Sequence, residues 1–510
     1  MSGLPEWMQA LLHARAYPHA VRSLRLVETP ISWVLLTGEY AYKIKRPVKL
    51  PFVDLRSAAH RRFLCHEELR LNRRFAPGLY LDVCDVTRTA SGVRMGGGGE
   101  VIEAAVRMRQ FDTAQSLDAL IARGEPTADA LRRFGAALDG LHATFATARS
   151  RDAPGDPDGA RADRLMNVVQ ARGALARAGI DDRLEDVQQE MAAQEHDLAP
   201  LLERRWRLGK VRECHGDLHS RNIVLQGGEL LAFDGLEFEP RFRWIDLGAE
   251  TAFLAMDLMV RGALPLALSF LSGYLESGGD YEQLRALPLH LADRALVRAK
   301  VAALEATDGD TDAREASRTS AMAYVALARE RLDARRPRPR MILMHGLSGS
   351  GKSWLAARLA ERLPALHVRS DVVRRHVSRP GTSAYSSGAT ARTYGLLAEC
   401  AADALAGGLD VIVDATFLRR ANRADFRRMA TIHGARLSMI QCEAPDDVLR
   451  ERIAMRATRG NDPSEATVEV LSLQRGRLEP VDAAEGLRRI VAQTNRPQVV
   501  QDVLAQLDSE

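Results

Sequence analysis

The chain has 510 residues, enough for about two to four domains, and its 46% hydrophobic and 27% charged residues are ordinary for a folded protein in water. Its 71 basic and 67 acidic residues leave a formal charge of +4, which argues against a nucleic-acid or membrane surface. Five cysteines without a C-x-x-C spacing, no signal-peptide pattern and no uninterrupted apolar span predict a cytoplasmic protein with reduced thiols.

The first part of the chain predicts a small lobe of strands around one helix. The elements follow in the order strand, strand, helix, strand, strand, at 31–37, 41–48, 57–75, 81–89 and 101–109, and a glycine turn at 96–99 joins the last two. This order is the layout of a kinase-like small lobe, in which a strand lysine pairs with a helix glutamate.

The scarcity of lysine draws attention to the second of these strands. Six of the 71 basic residues are lysines, and three of the six lie from Lys43 to Lys49. Lys43 and Lys45 lie on one face of the strand because side chains alternate with a period of two. A compact ammonium is a common phosphate ligand, so both are candidates for a nucleotide site, and a solvated strand face is the alternative.

Most of the following residues are predicted to be helical. Helical patterns cover 127–142, 161–207 and 245–333, with a flexible connection at 150–159 and an extended Arg/Pro linker at 335–340.

A loop rich in Asp, His and Asn interrupts the helical region. Asn222 follows Asp217 by five residues, which is the spacing from the base to the metal-binding Asn in a kinase catalytic loop. Two short strands around the turn 226–229 predict a hairpin that places Asn222 opposite Phe233 and beside Asp234. We therefore predict that Asn222 and Asp234 bind Mg²⁺ and that Asp217 accepts a hydroxyl proton. The alternative is a surface loop without chemistry.

The C-terminal third begins with a complete phosphate-binding loop. Residues 346–353 fill every position of G-x-x-x-x-G-K-[ST], between an apolar strand at 341–344 and a helix at 354–363. Such a loop directs backbone N–H groups and a helix N-terminus at one anion, a lysine at the outer phosphates and a hydroxyl at Mg²⁺. A chance glycine-rich turn is the alternative. The predicted nucleotide contacts are Gly346, Gly349, Ser350, Gly351, Lys352 and Ser353.

Two later stretches supply the other parts expected of a P-loop kinase. Asp371 is predicted to accept the hydroxyl proton and Arg374 to hold the substrate, unless they are only a helix cap and a solvated arginine. Asp414 ends an apolar strand, which is the position of a Walker-B carboxylate near Mg²⁺.

A group of arginines on one helix predicts a lid. Arg452, Arg456 and Arg459 share one face of the helix, and the break at 460–463 follows. Arginines placed in this way close on the transferring phosphate in kinases. An exposed arginine-rich helix face is the rival interpretation.

Two motifs resemble known families. HGDLHSRN at 215–222 and FDGLEF at 233–238 look like the aminoglycoside phosphotransferase family, which has the protein-kinase-like fold. Over about 25–330 the chain resembles the bifunctional aminoglycoside phosphotransferase/ATP-binding proteins of bacteria. VIVDATF at 411–417 and SDVVRR at 370–375 resemble the P-loop kinases that include gluconate kinase, zeta toxin and polynucleotide kinase, a type also called AAA family ATPases.

The first resemblance implies roles for residues of the small lobe. It implies that Lys43, or else Lys45, holds the nucleotide phosphates and that Glu68, or else Glu67, is its helix partner. It also implies that adenine meets the hinge at 108–111. A G-x-G-x-x-G loop is missing, and Gly38 is the one glycine of this region.

Together these features predict two kinase domains in one chain. We expect an α+β protein-kinase-like domain at 1–334, with a small lobe to about 112, and an α/β P-loop domain with a parallel sheet at 341–510. The predicted reaction is transfer of the γ-phosphate of Mg·ATP to hydroxyl groups of small molecules. The alternatives are a regulatory ATPase or nucleotide sensor acting on a protein partner, and a polynucleotide 5′-hydroxyl kinase, for which a basic-aromatic groove pattern is missing.

Overall fold

The structure is a computed structural model that describes residues 4–50, 53–180, 184–307, 311–333, 337–377, 387–459 and 467–508, with the backbone alone described at 387 and 457–459. The chain divides into two compact units. The first unit comprises Met1–Pro126, Leu141–Arg164 and Ala199–Leu254, and the second comprises Thr127–Gly140, Leu165–Leu198 and Ala255–Glu510.

The first unit begins with an antiparallel sheet and one long helix. The elements are α1 Glu6–Ala10, β1 Arg25–Glu28, β2 Ser32–Leu36, β3 Tyr40–Lys45, β4 Lys49–Leu50, β5 Val53–Asp54, α2 Ala58–Asn72, β6 Tyr80–Thr89, β7 Gly92–Met95 and β8 Glu100–Arg109. The strand order of the main sheet is β1-β2-β3-β8-β6-β7. Alternate side chains of β2 and β3 pack in one apolar cluster, which stabilises the pairing of the two strands; they are Trp33, Leu35, Tyr42 and Ile44. The Ser57 hydroxyl accepts a hydrogen bond from His60 N at 3.4 Å and caps α2.

The predicted strand-strand-helix-strand-strand order is present, with one local difference. The short strand β7 was not predicted, and it pairs with β6, so the glycine turn at 96–99 joins β7 rather than β6 to β8. The stretch is only four residues long and has one fully buried side chain, Met95 at 2% exposure. An alternation this short gives too weak a signal to separate a strand from a loop.

The remainder of the first unit contains a short helix and two small ladders. Their bounds are α3 Leu117–Ala122, β9 Val211–Glu213, β10 Ile223–Gln226, β11 Glu229–Ala232 and β12 Trp244–Asp246. Strands β10 and β11 form an antiparallel hairpin, and β12 pairs with β9. Asp246 accepts from Arg205 Nε at 2.8 Å and Nη2 at 2.9 Å and from Gly248 N at 2.6 Å, so one carboxylate holds a buried guanidinium and the start of the next helix.

Helices form the body of the predicted large lobe. They are α4 Ala128–Thr144, α5 Pro157–Arg177, α6 Glu185–Arg207, α7 Leu247–Val260, α8 Leu264–Gly278, α9 Leu287–Glu305 and α10 Thr311–Leu332. In the second unit α9 packs along α10, and the backbone of α4 approaches α8 closely, since a Cβ at Gly135 would lie 2.2 Å from Phe270 O. Of the helices in the described ranges, none is long and apolar enough to cross a membrane.

The C-terminal part of the second unit is a parallel sheet flanked by helices. Its elements are β13 Arg340–His345, α11 Lys352–Arg362, β14 Leu366–Arg369, α12 Ser370–Val377, α13 Ser387–Ala406, β15 Val411–Asp414, α14 Arg420–Ile432, β16 Arg436–Glu443, α15 Asp446–Arg459, α16 Val468–Gly476, β17 Arg488–Gln493 and α17 Val499–Asp508. The strand order is β14-β15-β13-β16-β17, and every pairing is parallel. Ligands of such sheets bind beyond the carboxyl ends of the strands, where β13 ends.

Candidate active sites

Lys43 lies between two carboxylates in the first unit. Its Nζ is 2.8 Å from Glu68 Oε1 and 2.5 Å from Asp234 Oδ1. Lys43 is on β3, Glu68 is on α2 and Asp234 follows β11, so three separate segments meet at one ammonium. Burial lowers the pKa of Lys43, but Asp234 and Glu68 outweigh this effect and hold the pKa well above its ordinary value. The amine is therefore a fixed positive charge.

Lys45 makes a second and more buried set of ion pairs. Its Nζ is 2.7 Å from Glu68 Oε2 and also pairs with Glu237. The Lys45 side chain is 1% exposed and that of Lys43 is 12% exposed, so Lys43 is the more accessible of the two lysines. The pKa of Glu237 is raised, because burial and the nearby negative charge of Glu68 together outweigh the opposing charge of Lys45. The alternative helix partner, Glu67, pairs with Arg70 at 2.8 Å instead.

Asp217 and Asn222 are joined by hydrogen bonds. Asn222 Nδ2 donates to Asp217 O and to Asp217 Oδ2, both at 3.0 Å. Phe233 N donates to Asn222 O at 2.9 Å, which extends the β10–β11 ladder and gives the predicted hairpin register next to Asp234. Because Nδ2 is engaged, Asn222 Oδ1 is the atom that can bind a cation together with the Asp234 carboxylate.

Buried polar contacts fix the loop around Asp217. Glu250, fully buried on α7, accepts hydrogen bonds from His215 N at 2.8 Å and Gly216 N at 3.1 Å. Gly216 has φ 82°, and a Cβ there would lie 2.6 Å from a carbonyl oxygen, so the turn requires glycine. His215 Nε2 lies 2.9 Å from a carbonyl oxygen of the hairpin, and His219 Nε2 lies 3.3 Å from Asp217 Oδ2. Both histidines therefore brace the loop.

The backbone of Asp234 is in an uncommon conformation. Its φ of 63° lies in the left-handed region, which Asp and Asn tolerate better than other side chains. The Tyr80 hydroxyl accepts a hydrogen bond from Asp234 N at 3.0 Å, and Asn72 Oδ1 accepts one from Gly235 N at 2.7 Å. These contacts anchor the residue that carries the predicted metal-binding carboxylate.

Gly38 is the one glycine between residues 31 and 48. It forms the turn between β2 and β3, and its N–H donates to Gln110 Oε1 at 2.8 Å, at the predicted adenine hinge 108–111. The turn between β1 and β2, residues 29–31, contains no glycine. The adenine contact itself stays a prediction.

The phosphate-binding loop lies between β13 and α11 at the carboxyl edge of the parallel sheet. Gly346, Gly349 and Gly351 have φ of 142°, 83° and 81°, and a Cβ at either of the first two would lie 2.6 Å from a carbonyl oxygen. Lys352 Nζ donates to a carbonyl oxygen of the loop at 2.8 Å. The buried Ser350 hydroxyl has no hydrogen-bond partner within the described ranges. An oxygen-rich anion in the loop would satisfy both groups, so these residues fit a triphosphate.

Asp414 ends β15 next to this loop. It is 4% exposed, and its Oδ2 lies 3.2 Å from His367 Nε2. Burial raises the pKa of Asp414, but hydrogen bonds from His367 and Ser353 and the charge of Lys352 lower it below its ordinary value. Burial lowers the pKa of Lys352 against the opposing charge of Asp414. The Ser353 hydroxyl and an ionised carboxylate form a hard-oxygen donor set that fits Mg²⁺.

One cavity of about 370 Å³ brings the other predicted residues of this domain together. Asp371 and Arg374 form an ion pair of 2.7 Å on α12 and line the cavity. Its wall also contains Lys352, Asp414, Arg452 and Arg456.

Arg452 and Arg456 of α15 lie on the phosphate-loop side of this cavity. Arg452 donates to Thr494 Oγ1 at 2.9 Å and to Thr494 O at 3.0 Å, and Thr494 Oγ1 donates to Ser350 O at 2.8 Å. Arg456 lines the cavity one turn later. The Arg459 side chain and the break at 460–463 lie outside the described residues.

Several residues of these sites were not predicted. Glu237, Glu250 and His367 each contact a predicted site residue or its loop. Glu237 alone had a sequence signal, because it lies inside the FDGLEF motif three residues after Asp234. Glu250 and His367 lie within ordinary helix and strand patterns, where a polar residue is not distinguished by its spacing.

Family comparisons define the class of protein that these two sites belong to. The phosphotransferase enzyme family matches residues 58–287, and an AAA domain matches residues 341–481. The chain is a kinase in which a protein-kinase-like phosphotransferase domain precedes a P-loop domain, as the motifs predicted. It belongs to the family of the uncharacterized proteins Rv2004c of Mycobacterium tuberculosis and Mb2027c of Mycobacterium bovis, which are 30% identical over 453 residues, or 87% of this chain and 88% of theirs.

Solved structures with detectable similarity align with parts of the chain. Choline kinase from Cryptosporidium parvum is 11% identical with a TM-score of 0.39 and covers 63% of this chain and 95% of its own. A gluconokinase from Sinorhizobium meliloti is 24% identical with a TM-score of 0.27 and covers 34% of this chain and 94% of its own.

Proposed function

We propose that the chain is a cytoplasmic ATP-dependent kinase with two nucleotide sites, each of which transfers a γ-phosphate to a hydroxyl group of a small molecule. The observation that carries the proposal is the meeting of Lys43, Glu68 and Asp234 at one ammonium, beside the loop of Asp217. The five cysteines are free thiols, which supports a reducing compartment.

At the first site, Lys43 neutralises and positions the nucleotide phosphates while Glu68 orients the amine. Asn222 and Asp234 would hold Mg²⁺, which neutralises charge on the phosphates when it is bound. Asp217 accepts the proton of the acceptor hydroxyl. A hydrogen bond from the Asn222 amide holds the Asp217 carboxylate beside the proposed metal site.

At the second site, the backbone of the phosphate loop and Lys352 hold the triphosphate, and Ser353 and Asp414 would hold Mg²⁺. The acceptor oxygen attacks the γ-phosphorus while its proton passes to Asp371. The bond from the γ-phosphorus to the bridging oxygen breaks, and ADP leaves with that electron pair. Arg452 and Arg456 stabilise the charge that develops on the transferring group.

A nucleotide titration of the full chain tests the two sites separately. We expect two binding events in the wild type, loss of one in Lys352→Ala and loss of the other in Asp234→Ala. If neither variant loses an event, the two-site proposal is wrong.

Catalysis is tested by a metabolite-pool phosphorylation screen with ATP labelled in the γ-phosphate. Asp217→Ala should remove one set of labelled products and Asp371→Ala another. Hydrolysis of ATP without any labelled acceptor would favour a regulatory ATPase instead.

A further inference from the structure

The cavity of the second site carries more positive charge than the nucleotide can neutralise. Among the described residues that line the cavity, acidic side chains are represented by Asp371 and Asp414. The cationic side chains of the same lining are Lys352, Arg374, Arg419, Arg452, Arg456 and Arg477. Six cations against two carboxylates leave a formal excess of four, and a magnesium-bound triphosphate brings a net charge of about −2. A positive excess therefore remains for a second ligand.

Most of these cations lie at the phosphate loop or already have an ion-pair partner. Lys352 belongs to the phosphate loop, and Arg452 and Arg456 lie on its side of the cavity. Arg477 directly follows α16, whose Gln474 Oε1 accepts a hydrogen bond from Ser348 N of the phosphate loop at 2.8 Å. Arg374 is already compensated by Asp371 at 2.7 Å. Arg419 follows β15 in the loop that leaves Asp414, and within the described ranges it forms no ion pair with an acidic side chain.

The loop that carries Arg419 is held in a strained conformation. Phe417, fully buried, has φ 49°, a left-handed conformation that is strained for a non-glycine residue. The Tyr394 hydroxyl accepts a hydrogen bond from Phe417 N at 2.9 Å. Arg423 donates to Phe417 O at 3.0 Å and Leu418 O at 3.3 Å. Strain of this kind persists where the surroundings fix the backbone, and such positions cluster at ligand sites.

Arg423 is itself fixed, which makes the loop a built part of the cavity wall. Its guanidinium is fully buried and binds Glu485 through Nε at 2.8 Å and Nη2 at 2.7 Å. The lining of the cavity also includes neutral polar side chains, among them Tyr394 and Asn422. Such groups suit the hydroxyls of a ligand, and the guanidinium of an arginine that follows a fixed loop suits a carboxylate or phosphate.

From this geometry we infer that the acceptor of the P-loop domain is a small hydroxylated anion, a hydroxy acid or a sugar phosphate, and that Arg419 binds its anionic group. The inference rests on the proposed function of this site. The anionic group fixes the acceptor at one end, so that a hydroxyl at the other end lies between Asp371 and the γ-phosphorus.

The test uses the full chain carrying Asp234→Ala, so that nucleotide binds at the second site, and saturates it with magnesium and a non-hydrolysable ATP analogue. Binding of D-glycerate, glycerol 3-phosphate and uncharged glycerol is then measured by calorimetry. We expect at least one anion to bind about tenfold or more tightly than glycerol. The anion with the higher affinity shows whether the site prefers a carboxylate or a phosphate. Arg419→Gln should lower the affinity for that anion about tenfold without changing the affinity for the analogue. Arg420→Gln, at the next position, which is also exposed, should change neither affinity.

Each result separates this inference from the proposed function. If the Asp234→Ala chain does not bind the analogue, the result counts against the nucleotide site itself. With the analogue bound, the inference is overturned if the anions bind no better than glycerol, or if adding Arg419→Gln to the Asp234→Ala chain leaves their affinity unchanged.

Discussion

The ammonium of Lys43 and the carboxylate of Asp234 form an ion pair of 2.5 Å, although 191 positions separate them in the chain. We expect Lys43→Met to weaken ATP binding at the first site about 10–100-fold, because one charge-assisted contact to phosphate is lost. Lys45→Met should weaken it less than about threefold. The affinity is measured in the Lys352→Ala background, where only the first site binds.

The exposed Lys49 provides the matched control for this comparison. Lys49→Met should bind ATP as the background does. If Lys45→Met lowers the affinity and Lys43→Met does not, Lys45 is the nucleotide lysine.

The ion pair between Lys45 and Glu237 should matter for stability more than for nucleotide binding. The two side chains are 1% and 5% exposed, and Lys45→Met leaves a buried carboxylate uncompensated, which costs about 3–5 kcal/mol. The double variant Lys45→Met/Glu237→Met should recover most of this loss, because Lys43 still compensates Glu68. Urea unfolding followed by tryptophan fluorescence reports on the first unit, which holds four of the five tryptophans. Equal instability of the single and double variants would contradict the assignment.

Glu250 should support catalysis without contacting the nucleotide. In Glu250→Gln a single carbonyl oxygen replaces two carboxylate oxygens, and one of the N–H groups of His215 or Gly216 then faces an amide N–H instead. We expect ATP turnover at the first site to fall about 10–100-fold while the KM for ATP changes less than about threefold. Glu100→Gln, at an exposed strand end, is the control and should have no effect. If Glu250→Gln changes only the KM for ATP, Glu250 does not act by holding the Asp217 loop in position.

His345 should make the second unit less stable in mild acid. Burial, followed by the charge of Arg423, lowers its pKa from 6.5 to about 4. Between these values the unfolded chain binds the proton and the folded chain does not, so stability falls as the pH drops from about 6.5 to 4 and is constant above that window. The contribution is of order 1–3 kcal/mol. Urea midpoints followed by circular dichroism should vary less with pH in His345→Gln than in the wild type, and identical slopes would disprove the assignment.

Features set by neighbouring residues were predictable from the sequence. The phosphate loop, the Val411–Asp414 strand and the hairpin that puts Asn222 opposite Phe233 all depend on short spacings. The choice between Glu67 and Glu68 was not predictable, because adjacent helix positions differ by only about 100° in direction and packing decides which one faces the sheet. The pairing of Glu237 with Lys45 was not predictable either, because it depends on the path of the chain after Asp234. The role of Arg419 depends on a loop held by residues 25 positions upstream and 4 positions downstream, Tyr394 and Arg423.

The short helical segment Tyr281–Ala286 packs against α13 within the second unit. Tyr281 and Leu284 are 3% and 0% exposed, and a Cβ at Gly407 would lie 2.5 Å from Leu284 O. A chain cut at 337–339, just before β13, would uncover these apolar side chains on one fragment and the surface of α13 that contacts them on the other. Fragments made there would tend to aggregate, because each would expose apolar surface that the intact chain keeps covered.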